Sequence, residues 1–207
     1  MPLLCCHFDS VLVSDMAGRS SVMMKARELG LEVDAKSPRL KDFLTEVKAR
    51  EFRGYQYEAA DASFLLLLKK YLENWREPFD VVGYRVMVER EGQGLMLSEA
   101  TVKVKSGEEV RLEVAEDAGP VGALDRALRK ALEPRFPTLR DVHLSDFNVR
   151  IVDTGQGAQA VIRVLVESTD GHERWGTVGA SANIMAASYE ALCDSYAYKL
   201  LRDASRK

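Results

Sequence analysis

Side chains able to do acid–base or metal chemistry are few and scattered in this sequence. His7, His143 and His172 are widely separated, and each falls at an expected turn or terminus. Cys5-Cys6-His7 brings three soft ligands together, but in a terminal segment expected to fray, and Cys193 sits inside an expected helix. Three cysteines so placed make neither a disulfide framework nor a metal-ligand spacing. No P-loop or nucleophile elbow is present. Gly18-Arg19-Ser20 resembles the start of a phosphate-binding turn, although an ordinary helix cap explains it as well. Asp141, Asp146 and Asp153 cluster around an expected strand, where Asp141 and Asp146 fall on opposite faces and so do not form a carboxylate pair. These residues specify no reaction.

Binding chemistry is better supported. Two helices are expected to start at glycine turns, one at Gly119-Pro120-Val121-Gly122 and one after Gly176 to Gly179. A helix N-terminus presents unpaired N–H groups to an anion such as the carboxylate of a free amino acid. Ala118, Gly119 and Gly122 leave volume beside the first of these termini, and Leu144, Phe147 and Ile151 of a later strand are placed to wall an apolar pocket for a branched side chain.

The elements that must position these residues form a repeat. The stretch from Trp175 to Leu201 reads as a short strand feeding a helix of about six turns, with Ser181 or Asn183 as cap. Ile184, Ser188, Ala191, Leu192 and Ser195 form one flat stripe, while Glu190, Asp194, Lys199 and Arg202 are expected in water. An earlier helix begins at Gly119, sixty positions before Gly179, and each helix follows three strand-like runs. The pattern predicts two βββα units of about sixty residues. Their strands are Val82 to Glu89, Ser98 to Lys105 and Val110 to Ala115, then Asp146 to Val152, Gln159 to Ser168 and Arg174 to Val178.

Before these units the period is helical. One helix follows Ser14-Asp15 and stops at Gly30; a second opens at Ser37-Pro38, with Leu40, Phe43, Leu44 and Val47 inward, and ends at Gly54. A third, Glu58 to Asn74, carries Ala62, Leu65, Leu66, Lys69 and Leu72. Trp75-Arg76-Glu77-Pro78-Phe79 breaks the pattern. The expected fold is α+β: an irregular segment 1–13, a helical linker subdomain 14–77, and antiparallel sheets packed on helices over 78–207, divided into repeats 78–136 and 137–207.

Composition excludes other classes. The chain has 207 residues, 46% hydrophobic and 29% charged, with a formal net charge of −3. That balance gives no electrostatic case for nucleic acid. No apolar run approaches the roughly 18 residues of a membrane span, so a cytoplasmic protein is expected.

Three stretches carry a resemblance. VLVSDMAGRSSVMMKARELGL, AEDAGPVGALDRALRKAL and WGTVGASANIMAASYEALCDSYAYKLL, with GYQYEAADASFLLLL between the first two, together resemble the C-terminal half of citramalate synthases, in the 2-isopropylmalate synthase and homocitrate synthase family. The resemblance covers nearly the whole chain from Val11. It implies a linker followed by an allosteric dimerisation domain. In that family acetyl-CoA is condensed with a 2-oxo acid, pyruvate for citramalate in isoleucine synthesis, on a metal-dependent TIM barrel that needs about 250 residues. The barrel is expected to be missing here, so the chain is expected to be inactive alone, with no cofactor of its own and the divalent metal confined to the barrel. The expected partners are a second copy, a branched-chain amino acid as feedback effector, isoleucine first, and a TIM-barrel catalytic domain. A stand-alone amino-acid sensor and an accessory subunit of a separate barrel protein are the alternatives. The accessory reading would leave a large exposed apolar patch around Leu65 to Leu68.

Position by position, the resemblance puts Ala118, Gly119, Val121 and Gly122 at the effector, adds Leu144, Phe147 and Ile151, and matches Ala158, Ala160 and Ile184 to the remaining wall. Where the family has Gly-Asn-Gly-Pro, this chain has Asp117-Ala118-Gly119-Pro120. That change places a carboxylate where it would repel the effector's own unless Asp117 turns away. Asp146 either receives the effector's ammonium or faces water.

Overall fold

The computed structural model describes residues 18–31, 33–34, 36–73, 75–90, 92, 94, 96–152, 157 and 159–205. The segment 1–13 with Cys5, Cys6 and His7, the Ser14-Asp15 helix start, Asn74, Asp153 and Ala158 lie outside these residues. Helix α1 spans Arg19–Glu28, α2 Pro38–Phe52 and α3 Asp61–Leu72. Pro38 occupies the first turn of α2, where its missing N–H has no partner to lose. Gly30 and Gly54 follow the ends of α1 and α2 with φ of 76° and 101°, the left-handed region that lets the chain leave a helix sharply.

α3 departs from the expected one-sided stripe. Residues 62–68 are all buried, because the helix lies between two bodies. Phe64, Leu67 and Leu68 pack with Val22, Leu40, Phe43 and Val47 of α1 and α2, whereas Ala62, Leu65 and Leu66 join the core of the sheets and later helices. The exposed apolar patch at Leu65 to Leu68 expected for an accessory subunit is therefore absent: these leucines are 8% exposed or less within this one chain.

The rest is two three-stranded antiparallel sheets, each followed by a helix. Strands β1 Asp80–Arg90, β2 Met96–Ser106 and β3 Glu109–Asp117 pair in that order and lead into α4, Pro120–Leu132. A short 3-10 turn, Pro137–Asp141, precedes β4 His143–Ile151, β5 Ile162–Thr169 and β6 Arg174–Ser181, which pair likewise and lead into α5, Ile184–Ser205. The α+β architecture is thus the one the sequence pattern implies. α4 buries Ala123, Leu124, Ala127, Leu128, Ala131 and Leu132 against the alternate residues Ala100, Val102 and Val104 of β2, the 3.6 and 2.0 periods meeting face to face.

The repeat is real, but its register is not the one the glycines suggested. α4 begins at Pro120 and α5 at Ile184, sixty-four positions later, so Gly119 corresponds to Asn183 rather than to Gly179. Gly179 is not a turn residue. It lies within β6 beneath α5, paired with Val164, where a Cβ would come within 2.0 Å of the Ala187 carbonyl oxygen. Glycine is there for close approach of helix to sheet.

α5 packs on β5 and β6 through Ala187 and Ala191 against Val164 and Val166, and on the first repeat through Leu192 and Tyr196. Trp175 anchors the middle: its Nε1–H donates to Ser195 Oγ (3.0 Å), which donates to Ser168 Oγ (2.7 Å). The other face of the second sheet is also covered. Val178 packs with Tyr57, Ala60 and Phe64, and Arg163 donates to the Gly54 carbonyl (2.6 Å) and to Gln56.

Candidate functional site

The sequence-derived residues fall into two groups. The first stands at the β3–α4 turn. Gly119 is the N-cap of α4, extended at φ −127° and ψ 151°, and no side chain caps the helix. Ala118 is exposed, Val121 is half-buried against the core, and Gly122 faces Asp117. The Asp117 carboxylate accepts the Ala118 N–H at 2.6 Å and pairs with Arg126 Nε at 2.7 Å. A Cβ at Gly122 would lie 2.9 Å from its Cγ, so the absence of a side chain there makes the notch that receives Asp117. The carboxylate has therefore not turned away; it folds over the first turn of α4 with Arg126 as counter-charge.

In the second repeat the equivalent helix start is closed differently. Asn183 Oδ1 accepts the N–H groups of Met185 (2.8 Å) and Ala186 (3.3 Å), and Ser181 Oγ accepts that of Asn183 (3.1 Å). Those backbone donors are already used, which leaves the α4 start as the less capped of the two.

The second group lies on β4. A register shift between Leu144 and Asp146 absorbs Ser145, so Leu144 and Phe147, three apart in sequence, both reach the helix-facing side. Phe147, Val149 and Ile151 pair with Val166, Val164 and Ile162, the row on which α5 sits. Yet α5 covers β5 and β6 and leaves β4 open: Phe147 is 37%, Val149 40% and Ile151 61% exposed, and Ile184, just after the Ser181 that stands in register with Ile162 and Ile151, is 40% exposed. Ala160 is buried at the end of the loop from β4. Asp146 is exposed, its Oδ1 accepting the Phe147 N–H at 2.8 Å. Val149 belongs to this row and was missed; alternation with Phe147 and Ile151 was the signal that could have found it.

The two repeats differ here. On the first sheet the corresponding strand is covered in its middle, for Tyr84 of β1 stacks on Tyr189 of α5 with ring centroids 4.7 Å apart, while Val88 towards its end is 50% exposed. The apolar row of β4 has no such cover among the described residues.

Sequence reasoning also misplaced the polar side of α5. Glu190 and Asp194 are not simply in water: Glu190 accepts the Tyr55 hydroxyl, and Asp194 accepts the Ser63 hydroxyl at 2.6 Å. Lys199 is buried, bridging Asp170 (3.0 Å) and Asp203 (2.9 Å). Burial pushes the Asp194 carboxyl up to about 7, helped by Glu77 and Glu190 and opposed by the Ser63 hydrogen bond and by Arg50. A folded-state pKa above the unfolded one gives stability that is full below about pH 4 and lost as pH rises towards 7. Asp194→Asn keeps an acceptor for Ser63 without the charge. Its unfolding free energy in denaturant titration is expected to gain on the parent's as pH rises from about 4 to about 8, by about 2–4 kcal/mol; a constant difference across that range would refute the assignment.

Among the described residues there is no group of three or more His, Cys, Asp or Glu side chains able to hold a metal ion, and no helix long and apolar enough to cross a membrane. What the geometry offers is an uncapped helix start in one repeat and an uncovered apolar strand in the other.

Residues 58–200 match the LeuA allosteric (dimerisation) domain. The (R)-citramalate synthase of Geobacter sulfurreducens is 49% identical over 200 residues, 96% of this chain and 38% of the relative. Those of Aquifex aeolicus and Streptomyces coelicolor are 47% and 45% identical over 93% of the chain and 37% and 36% of their own lengths. This chain thus spans little more than a third of the relatives it matches.

Proposed function

Because this chain belongs to the LeuA allosteric (dimerisation) domain family, we propose that it is the linker and regulatory portion of a cytoplasmic citramalate synthase-like acyltransferase, binding isoleucine as feedback effector between two copies of itself. The reaction, acetyl-CoA plus pyruvate to citramalate, then belongs to a barrel domain, which residues 18–205 do not form. The helices before β1 form the linker, 14–77, and residues 78–207 the regulatory domain.

The observation that carries this reading is the uncovered row Phe147, Val149 and Ile151, continued by the half-buried Leu144 and with the exposed Ile184 at the start of α5, in a domain whose family is defined by dimerisation. A branched aliphatic side chain fits a row of this composition, and the α4 start offers the N–H groups of Gly119, Val121 and Gly122 to the effector carboxylate, with Ala118, whose own N–H is taken by Asp117, beside them. The two groups belong to different repeats, and a second copy supplies the means to bring one against the other. Ala160 completes the wall in this assignment, and Ala158, outside the described residues, is assigned to it by the resemblance alone.

The experiment is calorimetric titration with L-isoleucine and L-leucine while molecular mass is followed by light scattering. A dimer that binds isoleucine saturably, and leucine more weakly within the roughly 10–200-fold range that one methyl position allows, is the expected result. A dimer that binds neither sinks the effector assignment. Asp117→Asn keeps the acceptor for the Ala118 N–H and removes the charge over the α4 start. Isoleucine is expected to bind this variant about 3–10-fold more tightly, since a like charge near the effector carboxylate is gone; weaker binding would show instead that Asp117 receives the ammonium.

A further inference from the structure

α5 and the segment before α3 touch β6 from opposite sides with no side chain between. On the helix-facing side the Ala187 carbonyl lies over Gly179, where a Cβ would come within 2.0 Å of its oxygen. On the other side the Ala59 carbonyl lies over Gly176, where a Cβ would come within 1.9 Å. Side chains can absorb a small displacement by changing rotamer; backbone resting on backbone cannot, so a shift of one layer is passed to the next.

Hydrogen bonds tie the same three layers laterally. Glu190 accepts from Tyr55, and also from the Ala180 N–H of β6 at 3.4 Å. Asp194, one turn on, accepts from Ser63, whose oxygen in turn accepts the Val178 N–H at 3.0 Å. Val178 lies on the free edge of its sheet, so α3 supplies through Ser63 the acceptor that a further strand would have provided. The groups facing Asp194 are Glu190 on its own helix, Glu77 before β1, Arg50 of α2 and Ser63 of α3.

We propose that β6, with Gly176 and Gly179 as its two backbone seats and the Tyr55–Glu190 and Ser63–Asp194 pairs as its clasp, is the coupling element that links ligand binding at β4 and the first turn of α5 to the seating of helices α2 and α3. This rests on the effector reading above. Val149 and Val164 stand in register with Gly179, beneath Ala187, so a ligand seated on the open row of β4 beside this turn of α5 bears on the turn that rests on Gly179. The shift passes through β6 to Ala59, while Glu190 and Asp194, rigid with α5, carry Tyr55 and Ser63. The segment moved in this way is the one leading back towards the catalytic part of the proposed enzyme.

The test uses the full chain, with amide exchange followed by NMR with and without L-isoleucine and saturation checked by calorimetry on the same sample. Isoleucine is expected to change the exchange rate of the Val178 amide, and of the α3 amides, at least about fivefold. In Tyr55→Phe, which loses one arm of the clasp and leaves the Ser63 acceptor in place, the response is expected to fall below about twofold while isoleucine affinity stays within about threefold of the parent. Gly176→Ala is the sharper lesion but threatens the fold itself, so Tyr55→Phe carries the decision. Saturation with no change at Val178, or an undiminished response in Tyr55→Phe, overturns the coupling role with the effector site intact. An absence of binding heat overturns the effector reading, and the coupling role with it.

Discussion

Adding a single methyl group to β6, as Gly179→Ala or Gly176→Ala, is expected to lower stability by about 3 kcal/mol or more, near the upper end of what overpacking costs. At Gly179 the new Cβ would lie 2.0 Å from the Ala187 oxygen, 2.9 Å from its carbonyl carbon and 3.0 Å from the Glu190 Cβ. At Gly176 it would lie 1.9 Å from the Ala59 oxygen and 3.0 Å from its carbon. Both obstacles are backbone, which cannot rotate aside; a whole helix or segment must retreat, opening gaps along the contact it leaves. The strand alone would favour the change, since alanine loses less chain entropy than glycine on folding, so any destabilisation measures the contact and not the residue's propensity. Gly83→Ala is the control: it too is a strand glycine, with nothing within 4 Å of the position its Cβ would take, and it is expected to stay within about 0.5 kcal/mol of the parent. Denaturant unfolding of the three variants at constant m-value decides the matter. Equal midpoints for Gly179→Ala and Gly83→Ala would mean that α5 does not rest on β6 by its backbone.

The second large effect is expected at Phe64. Phe64→Ala should cost about 3–5 kcal/mol, whereas Phe52→Ala, in the same helical segment, should cost less than about 0.5 kcal/mol. Phe64 is fully buried, meeting Phe43 edge-on at 5.5 Å and Tyr57 at 5.7 Å between ring centroids. It packs in the body that joins α1 and α2 to Val178 on the outer face of the second sheet. Removing the ring opens a cavity at the seam between the linker helices and β6, walled by rings that cannot all collapse into it. Phe52, at the end of α2, is 95% exposed and has no such surroundings to lose. Because the seam and not the whole sheet is affected, amide exchange in Phe64→Ala should rise first in α1 to α3 and at Val178, and only with stronger denaturant in β2 and β5. Uniform loss of protection would mean that the linker helices and the sheets unfold as one unit.

Much of the candidate site could be read from residue types alone. Leu144, Phe147, Ile151 and Ile184 were recognisable as apolar side chains near strand and helix starts, and the structure sets them on β4 and the first turn of α5. Two things hid the rest. The bulge at Ser145 reverses the parity of the strand, so whether Leu144 and Phe147 share a face cannot be obtained by counting in twos. And a glycine in sequence looks the same whether it makes a turn, as the repeat seemed to require of Gly179, or admits a neighbouring backbone, as Gly179 and Gly176 do.

The sequence by itself determined the local elements and their order: the five α-helices and six strands among the described residues follow from periodicity, from Pro38 and Pro120 at helix starts, and from the turn glycines Gly30, Gly54, Gly107 and Gly171, all at positive φ. Those signals are local, since period and punctuation act within a few residues of where they stand. Only the tertiary structure decided which faces are shared. It buried all of 62–68 by setting α3 between two bodies, turned Glu190, Asp194 and Lys199 from expected solvent into hydrogen-bonded contacts, and left β4 bare while covering the middle of β1 with Tyr189. These outcomes depend on pairs of residues far apart in the chain, such as Tyr55 with Glu190 and Gly176 with Ala59. The free energy of such contacts belongs to the pair, and neither member's neighbourhood in sequence contains it.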